Sequence, residues 1–471
     1  MVFSSHVFLF LFLPLVLVSY YLCPRPGRNV VLLGYSLLFY GWANPLFALL
    51  LLLTVGVCYL AGQLAARRHR PEGGSGRIGL LLGVVFPLLV LGVFKYFNFA
   101  RDNWNAIAAA WGPGLAELDI ALQVVLPLGL SFYTFQAITY VVDIYRGDAR
   151  PQKNPLDFAS YIALFPQLVA GPIIRYGEIE RQLRERRETI NLFARGVGFF
   201  SIGLAKKILL ANPCGQIADA VFATGTTAAA DAWTGVFAYS MQIYFDFSGY
   251  SDMALGLGLM FGFVFPINFN SPYRSVSITD FWRRWHISLS SFLRDYLYIP
   301  LGGNRKGNLR TYANLITVML LGGLWHGASW TFVVWGAWHG VGLAVERLWN
   351  QRVGRRIAPT YLAIPLVFVI ASLGWVWFRA DSFSHAAEIF RSLFGLADPD
   401  ERALLLDGWI RQPYLLLTLF VALGISWFGV PTHRLLRSIG FAKAIAILLI
   451  LVLAVVAMSN QSFNPFIYFN F

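Results

Sequence analysis

The sequence predicts an all-α integral membrane protein that crosses the bilayer many times. Three observations carry this. Hydrophobic residues make up 57% of the 471 and charged residues 13%, against the roughly 25% charged of a soluble globular domain. The apolar residues gather in runs near the ~20 needed to span a hydrocarbon core. The lysines and arginines behind the formal charge of +13 fall in short loops between those runs. That placement follows the positive-inside rule and gives no reason to expect a nucleic-acid partner.

Taken in order, residues 7–22 read as the first span, since they lack the basic start and small-residue cleavage site of a signal peptide. Arg25 and Arg28 then mark a cytoplasmic loop. Residues 29–42 and 47–66 form a tight pair turned at Trp42-Ala-Asn-Pro45, and the basic loop from Arg67 to Arg77 is again cytoplasmic. Residues 78–99 span outward to a mixed-charge loop over 100–119. Residues 120–145 return carrying Pro127, Ser131, Tyr133, Thr134, Gln136 and Thr139. Such polar side chains find partners inside a protein and not in lipid.

The segment 156–174 is apolar but broken by Pro166, Gly171 and Pro172, with basic loops on both sides. It reads as re-entrant, lining a cavity, because irregular backbone at membrane depth needs protein or water around it. The Arg/Glu-rich run 175–195 reads as a solvated surface helix. Further spans are expected within 194–212 and 232–266. The basic, aromatic stretch 274–310 faces the cytoplasm by charge, which leaves one broken or re-entrant element between 195 and 310. Two elements, 311–324 and 329–348, return to Arg352, Arg355 and Arg356. Spans follow at 359–378, 413–430 and 441–458, with a mixed-charge outer segment over 379–411 and a surface helix from Ala386 to Leu396. No repeat or soluble domain interrupts this, so one polytopic membrane domain is expected over 1–471.

Chemistry concentrates where ionisable groups enter apolar sequence. The run from Thr317 to Val345 contains His326 and His339 and nothing charged. An ionisable side chain at such depth costs roughly 2–3 kcal/mol or more unless partnered, which makes it a functional candidate. His286 lies in a second Trp-rich segment. A desolvated imidazole stays neutral and can take a proton from a hydroxyl as general base, or carry an acyl group as nucleophile. His339 follows His326 by thirteen residues, about 220° around a continuous helix, so the two are expected to face apart. His6, His69, His385 and His433 read as solvated. Trp325 and Trp330 are candidate tunnel walls. Asp246 and Asp252 are candidates for proton relay, or for pairing with the arginines of 274–294. Arg283, Arg284 and Arg294, with Asp295 beside the last, are candidates to attract a phosphate-rich donor. Three cysteines without metal spacing, and no His-Glu-x-x-His, phosphate loop or Gly-x-Ser-x-Gly elbow, leave metal hydrolase, nucleotide hydrolase and serine-triad readings unsupported.

The residues also resemble a known family. Phe281-Trp-Arg-Arg-Trp-His286-Ile-Ser-Leu-Ser-Ser-Phe-Leu-Arg-Asp295-Tyr, Leu301-Gly-Gly-Asn304 and Gly323-Leu-Trp-His326-Gly-Ala-Ser-Trp330 are similar to the signature of the membrane-bound O-acyltransferases, in the bacterial alginate O-acetyltransferase branch. Met1-Val-Phe-Ser-Ser5, Phe165-Pro-Gln-Leu-Val-Ala-Gly-Pro172 and Gln242-Ile-Tyr-Phe-Asp246-Phe-Ser-Gly-Tyr-Ser-Asp252 extend the likeness over most of the chain. The resemblance implies a ring of about eleven transmembrane helices plus re-entrant helices around a central tunnel, in the bacterial inner membrane. It implies His326 as the catalytic histidine and His286 as the second functional position. It further implies an acetyl thioester such as acetyl-CoA as donor substrate, no bound cofactor or metal, a periplasmic partner of the SGNH-hydrolase type, and a polysaccharide synthase or secretion complex. Alginate is the first choice of polymer, with cellulose and peptidoglycan as alternatives. A multi-span transporter or flippase and a membrane scaffold are the competing readings of the broken spans and intramembrane charges.

Overall fold

Helices supply all the regular structure among the described residues. In hydrocarbon, each backbone N–H and C=O must find its partner within the segment, and a helix does this residue by residue. The computed structural model of the chain describes residues 1–42, 44–69, 76–112, 117–118, 123–354, 358–461, 464 and 466–467, with only the backbone of His69 and Leu404. The basic loop residues 70–75, the pair Arg355 and Arg356, and residues 119–122 of the span expected over 120–145 lie outside the described residues. The chain divides into two compact units, Met1–Phe193 with Gly258–Phe265, and Ala194–Leu257 with Pro266–Phe471.

In the first unit, α1 (Phe8–Leu22), α2 (Arg28–Gly41), α3 (Pro45–Ala65) and α4 (Gly76–Trp111) lead to α5 (Leu130–Arg146). The polar load of α5 is turned inward: Ser131, Tyr133, Thr134, Gln136 and Thr139 are all buried. The expected break then appears as two short helices, α6 (Pro155–Ala163) and α7 (Phe165–Leu168), parted at Leu164. Both are covered by protein. Phe165 N donates to Ser36 Oγ at 3.0 Å, Ser160 Oγ to Asn29 O at 2.7 Å, and Gln167 Nε2 to Tyr161 O at 2.7 Å.

The surface helix α8 (Tyr176–Glu185) presents exposed pairs such as Arg181–Glu185 to the outside and buries Tyr176, Ile179 and Leu183. The Arg/Glu run does not stay solvated throughout, as the sequence suggested. Two of its side chains turn inward: Glu188 pairs with Arg28 at 2.7 Å and accepts a hydrogen bond from Tyr20 Oη at 2.7 Å. Arg186 donates to Tyr20 Oη at 2.8 Å and to Asn29 Oδ1 at 2.6 Å.

The second unit contains α10 (Asn212–Ala223), α12 (Ile278–Arg284), α13 (Ile287–Phe292), α14 (Asn308–His326), α15 (Trp330–Val353), α16 (Thr360–Arg379), α17 (Phe383–Leu393), α18 (Ala403–Ile410), α19 (Pro413–Phe428), α20 (Thr432–Leu435) and α21 (Phe441–Asn460). It also takes most of α9 (Ile190–Ala205) and α11 (Ala229–Met260). The outer surface helix runs over Phe383–Leu393 and not Ala386 to Leu396, because Ser382 caps its start through the His385 amide. Among the described residues, four helices are long and apolar enough to cross a membrane: Pro45–Arg68, Gly76–Trp111, Thr360–Arg379 and Phe441–Asn460. Phe8–Leu22 and Pro413–Phe428 are apolar but shorter.

In the second unit, two pairs of helices touch backbone to backbone. On α9 and α11, a Cβ added at Gly203 would meet Gly249 O at 2.5 Å, and one added at Gly249 would meet Gly203 O at 2.7 Å. On α14 and α15, added Cβ atoms would collide with Phe332 O from Gly323 and with Met319 O from Gly336. Small residues at such crossings replace the hydrophobic drive that lipid does not supply.

The chain continues from α9 through a π-helical turn, Lys206–Ala211. Lys206 Nζ reaches Asp252 Oδ2 at 2.6 Å, and Lys207 Nζ reaches Asp246 Oδ1 at 2.8 Å. The other oxygen of Asp246 accepts the Ile467 amide at 2.9 Å. The two carboxylates therefore serve as internal counter-ions to lysines, and not as partners of the arginines over 274–294.

Two outcomes follow for stability, both read as thermal unfolding midpoints of the detergent-purified protein. Gly336→Val forces α14 and α15 apart and costs about 1–3 kcal/mol or more; an unshifted midpoint would show that the crossing tolerates a side chain. Asp246→Ala leaves the buried Lys207 ammonium without its carboxylate and costs about 3–5 kcal/mol. Native stability in that variant would remove the pair from the structural core.

Candidate functional site

His286 occupies the turn between α12 and α13, with φ 42° and ψ 56°. A left-handed conformation is uncommon for a residue with a side chain. Strain of this kind, of order 1–3 kcal/mol, persists only where surrounding structure enforces it. Here the enforcement is a short extended segment lying alongside. Asn270 N donates to Arg284 O at 3.0 Å and Ile287 N donates to Asn268 O at 2.9 Å, bracketing the turn from both sides. Trp285, 1% exposed, anchors it against Phe281 and Trp375. His286 is itself fully buried, its ring 4.7 Å from Phe247 and edge-on to it, with Nδ1 3.2 Å from Asn268 Oδ1.

His326 is the last residue of α14. Gly327 has φ −157° and ψ 147°, so the helix stops there, and Ser329 caps α15 by accepting the Thr331 amide. The two helices form a hairpin, and the glycine contacts at 323 and 336 bring their backbones together. His326 is 4% exposed, with ring neighbours Trp325 at 4.9 Å, Trp335 at 5.1 Å and Phe378 at 5.3 Å. The His286 and His326 rings lie 6.4 Å apart, centroid to centroid, and Trp325 is 6.1 Å from His286. The structure thus brings His286, His326 and Trp325 together in a buried aromatic enclosure.

Other candidates lie elsewhere. Trp330 starts α15 and is 51% exposed; Trp335, one turn on, is a ring neighbour of His326. Asp246 and Asp252 are held by lysines, as described. Arg294 makes two hydrogen bonds to the adjacent Asp295, at 2.6 and 2.9 Å, on a π-helical turn where its side chain is 61% exposed. Arg283 and Arg284 line a cavity of about 950 Å³ together with Asp280, Glu346 and apolar residues of α15 and α16 such as Val341 and Leu366. Arg284 is bound to Asp280 at 2.8 Å. On α15 that cavity borders Val334, Trp338, Val341 and Val345, with Gly342 and Glu346.

The helical-phase argument against His339 fails because its premise, a continuous helix, does not hold. The break after His326 folds the chain back, and Trp335 touches both histidines, 5.1 Å from His326 and 5.2 Å from His339. His339 is 1% exposed and stacks against Phe281 at 6.0 Å, with Trp282 edge-on at 5.2 Å. Its place is in the aromatic layer behind the His286–His326 pair. His385 is also less solvated than expected, with Nε2 donating to Phe222 O at 3.0 Å.

A second cavity, of about 450 Å³, borders Phe332 and Phe378, the latter a ring neighbour of His326. Its other walls are polar: Asp219, Gln242, Ser329, Thr331, Arg379 and Asp381. Arg379 and Asp219 are paired across it at 3.0 Å. Sequence reasoning missed Trp335, Phe378, Phe247 and Asn268 as neighbours of the histidines. Trp335 stood within the His326 run, nine residues on, and the hairpin turn Gly327-Ala-Ser329 was the available signal. Nothing in the sequence pairs Asn268 with His286 before the fold does.

The sequence is similar to that of known proteins. The profile of the MBOAT, membrane-bound O-acyltransferase family, matches residues 149–378, which include His286 and His326. A protein of Azotobacter vinelandii named probable alginate O-acetylase AlgI is 44% identical, with all of both chains aligned. The protein of that name from Pseudomonas aeruginosa is 47% identical over 84% of this chain and 75% of its own. The peptidoglycan O-acetyltransferase of Helicobacter pylori is 38% identical over 84% of this chain and 80% of its own. A multi-pass helical membrane architecture, a full-length match and two buried histidines within the matched region lead to one conclusion: the chain belongs to the membrane-bound O-acyltransferase family, in its AlgI branch, and is an O-acyltransferase.

Proposed function

We propose that this protein is the membrane subunit of a polysaccharide O-acetylation system. It takes acetyl groups from a cytoplasmic thioester, acetyl-CoA first among donors, and passes them across the bacterial inner membrane for O-acetylation of an exported polysaccharide. Alginate is the first choice of polymer, and the receiving partner is a periplasmic protein of the SGNH-hydrolase type working beside a polysaccharide synthase. The observation that carries this reading is the His286–His326 pair at 6.4 Å inside an aromatic enclosure, in a chain whose relatives are named as alginate O-acetylases and a peptidoglycan O-acetyltransferase. In this reading the two units act as one polytopic domain with the family's ring of about eleven spans.

The chemistry is acyl transfer with an imidazole as general base. The imidazole of His326 accepts the proton of the acceptor hydroxyl while that oxygen attacks the thioester carbonyl. The C–S bond then breaks, and the thiolate leaves with the proton returned by the imidazolium. The new ester carries the acetyl group away. His286 is the second functional residue, within one side-chain length of the first. The enclosure keeps water out, which protects the thioester from hydrolysis. The polar cavity beside Phe378 supports the approach of a hydroxyl-bearing acceptor, because Gln242, Ser329 and Thr331 offer it hydrogen bonds. Arg283 and Arg284, on the larger cavity, support attraction of a phosphate-bearing donor.

His326→Ala, with membrane insertion confirmed, is expected to lower acetyl transfer by about 10²–10⁴-fold. The measurement is incorporation of labelled acetyl from acetyl-CoA by proteoliposomes supplied with the outer partner. Transfer within twofold of the native protein would remove His326 from the chemistry, and transport of an intact substrate without any acetyl transfer would point to the flippase class.

A further inference from the structure

Around His286 the structure shows a hydrogen-bonded assembly that the catalytic reading does not use. Asn268 Oδ1 receives three contacts: the Ser288 amide at 3.2 Å, Ser288 Oγ at 2.9 Å and His286 Nδ1 at 3.2 Å. The amide end of the same side chain, Nδ2, donates to Ser251 Oγ at 3.1 Å. Asn268 is 2% exposed and Ser251 2% exposed, so water does not compete for these groups.

The chemistry of the partners fixes which atom is which. A backbone N–H can only donate, so the Asn268 atom facing Ser288 N must be the carbonyl oxygen, and the carboxamide cannot be flipped. Ser288 has one hydroxyl hydrogen, and the short 2.9 Å contact directs it to the same oxygen; Ser288 Oγ lies farther, 3.5 Å, from His286 Nδ1. An oxygen that only accepts, 3.2 Å from Nδ1, requires that nitrogen to carry the hydrogen. A neutral imidazole has one N–H. The lone pair is therefore on Nε2, at the opposite edge of the ring.

We infer that Asn268 is a positioning residue that locks His286 in the Nδ1–H tautomer, so that its Nε2 is the basic nitrogen offered to the reaction. The inference rests on the acyltransfer reading, in which His286 acts with His326. Two further features serve the same end. The Asn268 backbone carbonyl accepts the Ile287 amide at 2.9 Å, so one residue braces both the strained backbone of the turn and the ring mounted on it. Phe247, edge-on at 4.7 Å, limits rotation of the ring about its own axis. An imidazole without this acceptor would present a lone pair at Nε2 for only part of the time and would also lose its fixed orientation, so transfer would slow by more than the tautomer share alone.

Nitrogen NMR of the native protein with labelled histidine, with the His286 signals identified by their loss in His286→Gln, tests this directly. The expected spectrum has a protonated, pyrrole-type Nδ1 and a pyridine-type Nε2. A pyridine-type Nδ1 overturns the inference, whether or not any variant folds. Asn268→Leu is expected to mix the tautomers and lower kcat by about 10²-fold, with KM for acetyl-CoA within twofold. Asn268→Asp keeps an acceptor at the same point and is expected to retain the tautomer and most of kcat. A kcat for Asn268→Leu equal to the native value, in a membrane-inserted protein, also overturns it. The two readings separate through His286→Ala: inactivity of that variant beside a pyridine-type Nδ1 removes Asn268 and leaves the catalytic histidines standing, whereas full activity removes the catalytic reading and this inference with it.

Discussion

Backbone contact between α14 and α15 is the constraint on which the site depends. A helix pair held apart by side chains would sit ~8–10 Å axis to axis, and the glycines at 323, 336 and 340 allow a closer approach. That closeness lets a turn of three residues, Gly327 to Ser329, reverse the chain directly beneath His326. It also delivers Trp335 to a point where its ring meets His326 on one side and His339 on the other. Lipid offers no penalty for separating two apolar helices, so van der Waals contact along this seam has to supply the order. The aromatic layer of Trp285, Trp335, Trp375 and Phe378 then packs against the seam, with Trp335 and Trp375 stacked at 5.7 Å. A short polar network pins that layer, since Trp375 Nε1 donates to Tyr273 Oη, which donates to Ser240 O.

The second histidine is placed by a different means. His286 is not on a helix but at a break between two short ones, and its conformation is enforced by the extended segment Asn268–Asn270. One histidine terminates a long helix and the other occupies a strained turn. The two rings are mounted on different backbone features, so the geometry of the pair rests on two separate supports. Separate supports of this kind are one way to hold two side chains in a fixed mutual geometry.

What was legible in the sequence follows from how far each signal reaches. Apolar runs are local, and the long apolar helices Pro45–Arg68, Gly76–Trp111, Thr360–Arg379 and Phe441–Asn460 were legible in them. The buried face of α5 was visible in its own polar residues, and the broken segment in Pro166, Gly171 and Pro172. His326 and His286 stood out because an imidazole is costly in apolar surroundings. Helix ends were less visible: the π-helical turns at 206–211 and 293–298 carry no composition signal, and α4 runs on to Trp111 through Arg101 and Asp102. The partners of charged groups were not visible at all. Asp246 and Asp252 were set against the nearby arginines, whereas the lysines that hold them come from a helix some forty residues earlier in the chain. Phase arguments also failed where their premise did. His339 was placed by counting along a helix that the chain interrupts at Gly327.

The π-helical turn at Lys206–Ala211 bears on how this chain can vary over time. A π turn holds one residue more than the α-helix it interrupts, and here it lies where Lys206 and Lys207 meet Asp252 and Asp246. Loss of one residue from that turn would close it into a regular helix with the flanking segments still in phase, because the wide turn is what absorbs the extra residue. Within the turn the side chains would change direction, Lys206 and Lys207 among them, although no charged residue had been altered. The segment can therefore accept many substitutions on its lipid side but not a change of length. Insertions and deletions among related chains should be absent here and frequent in the loops.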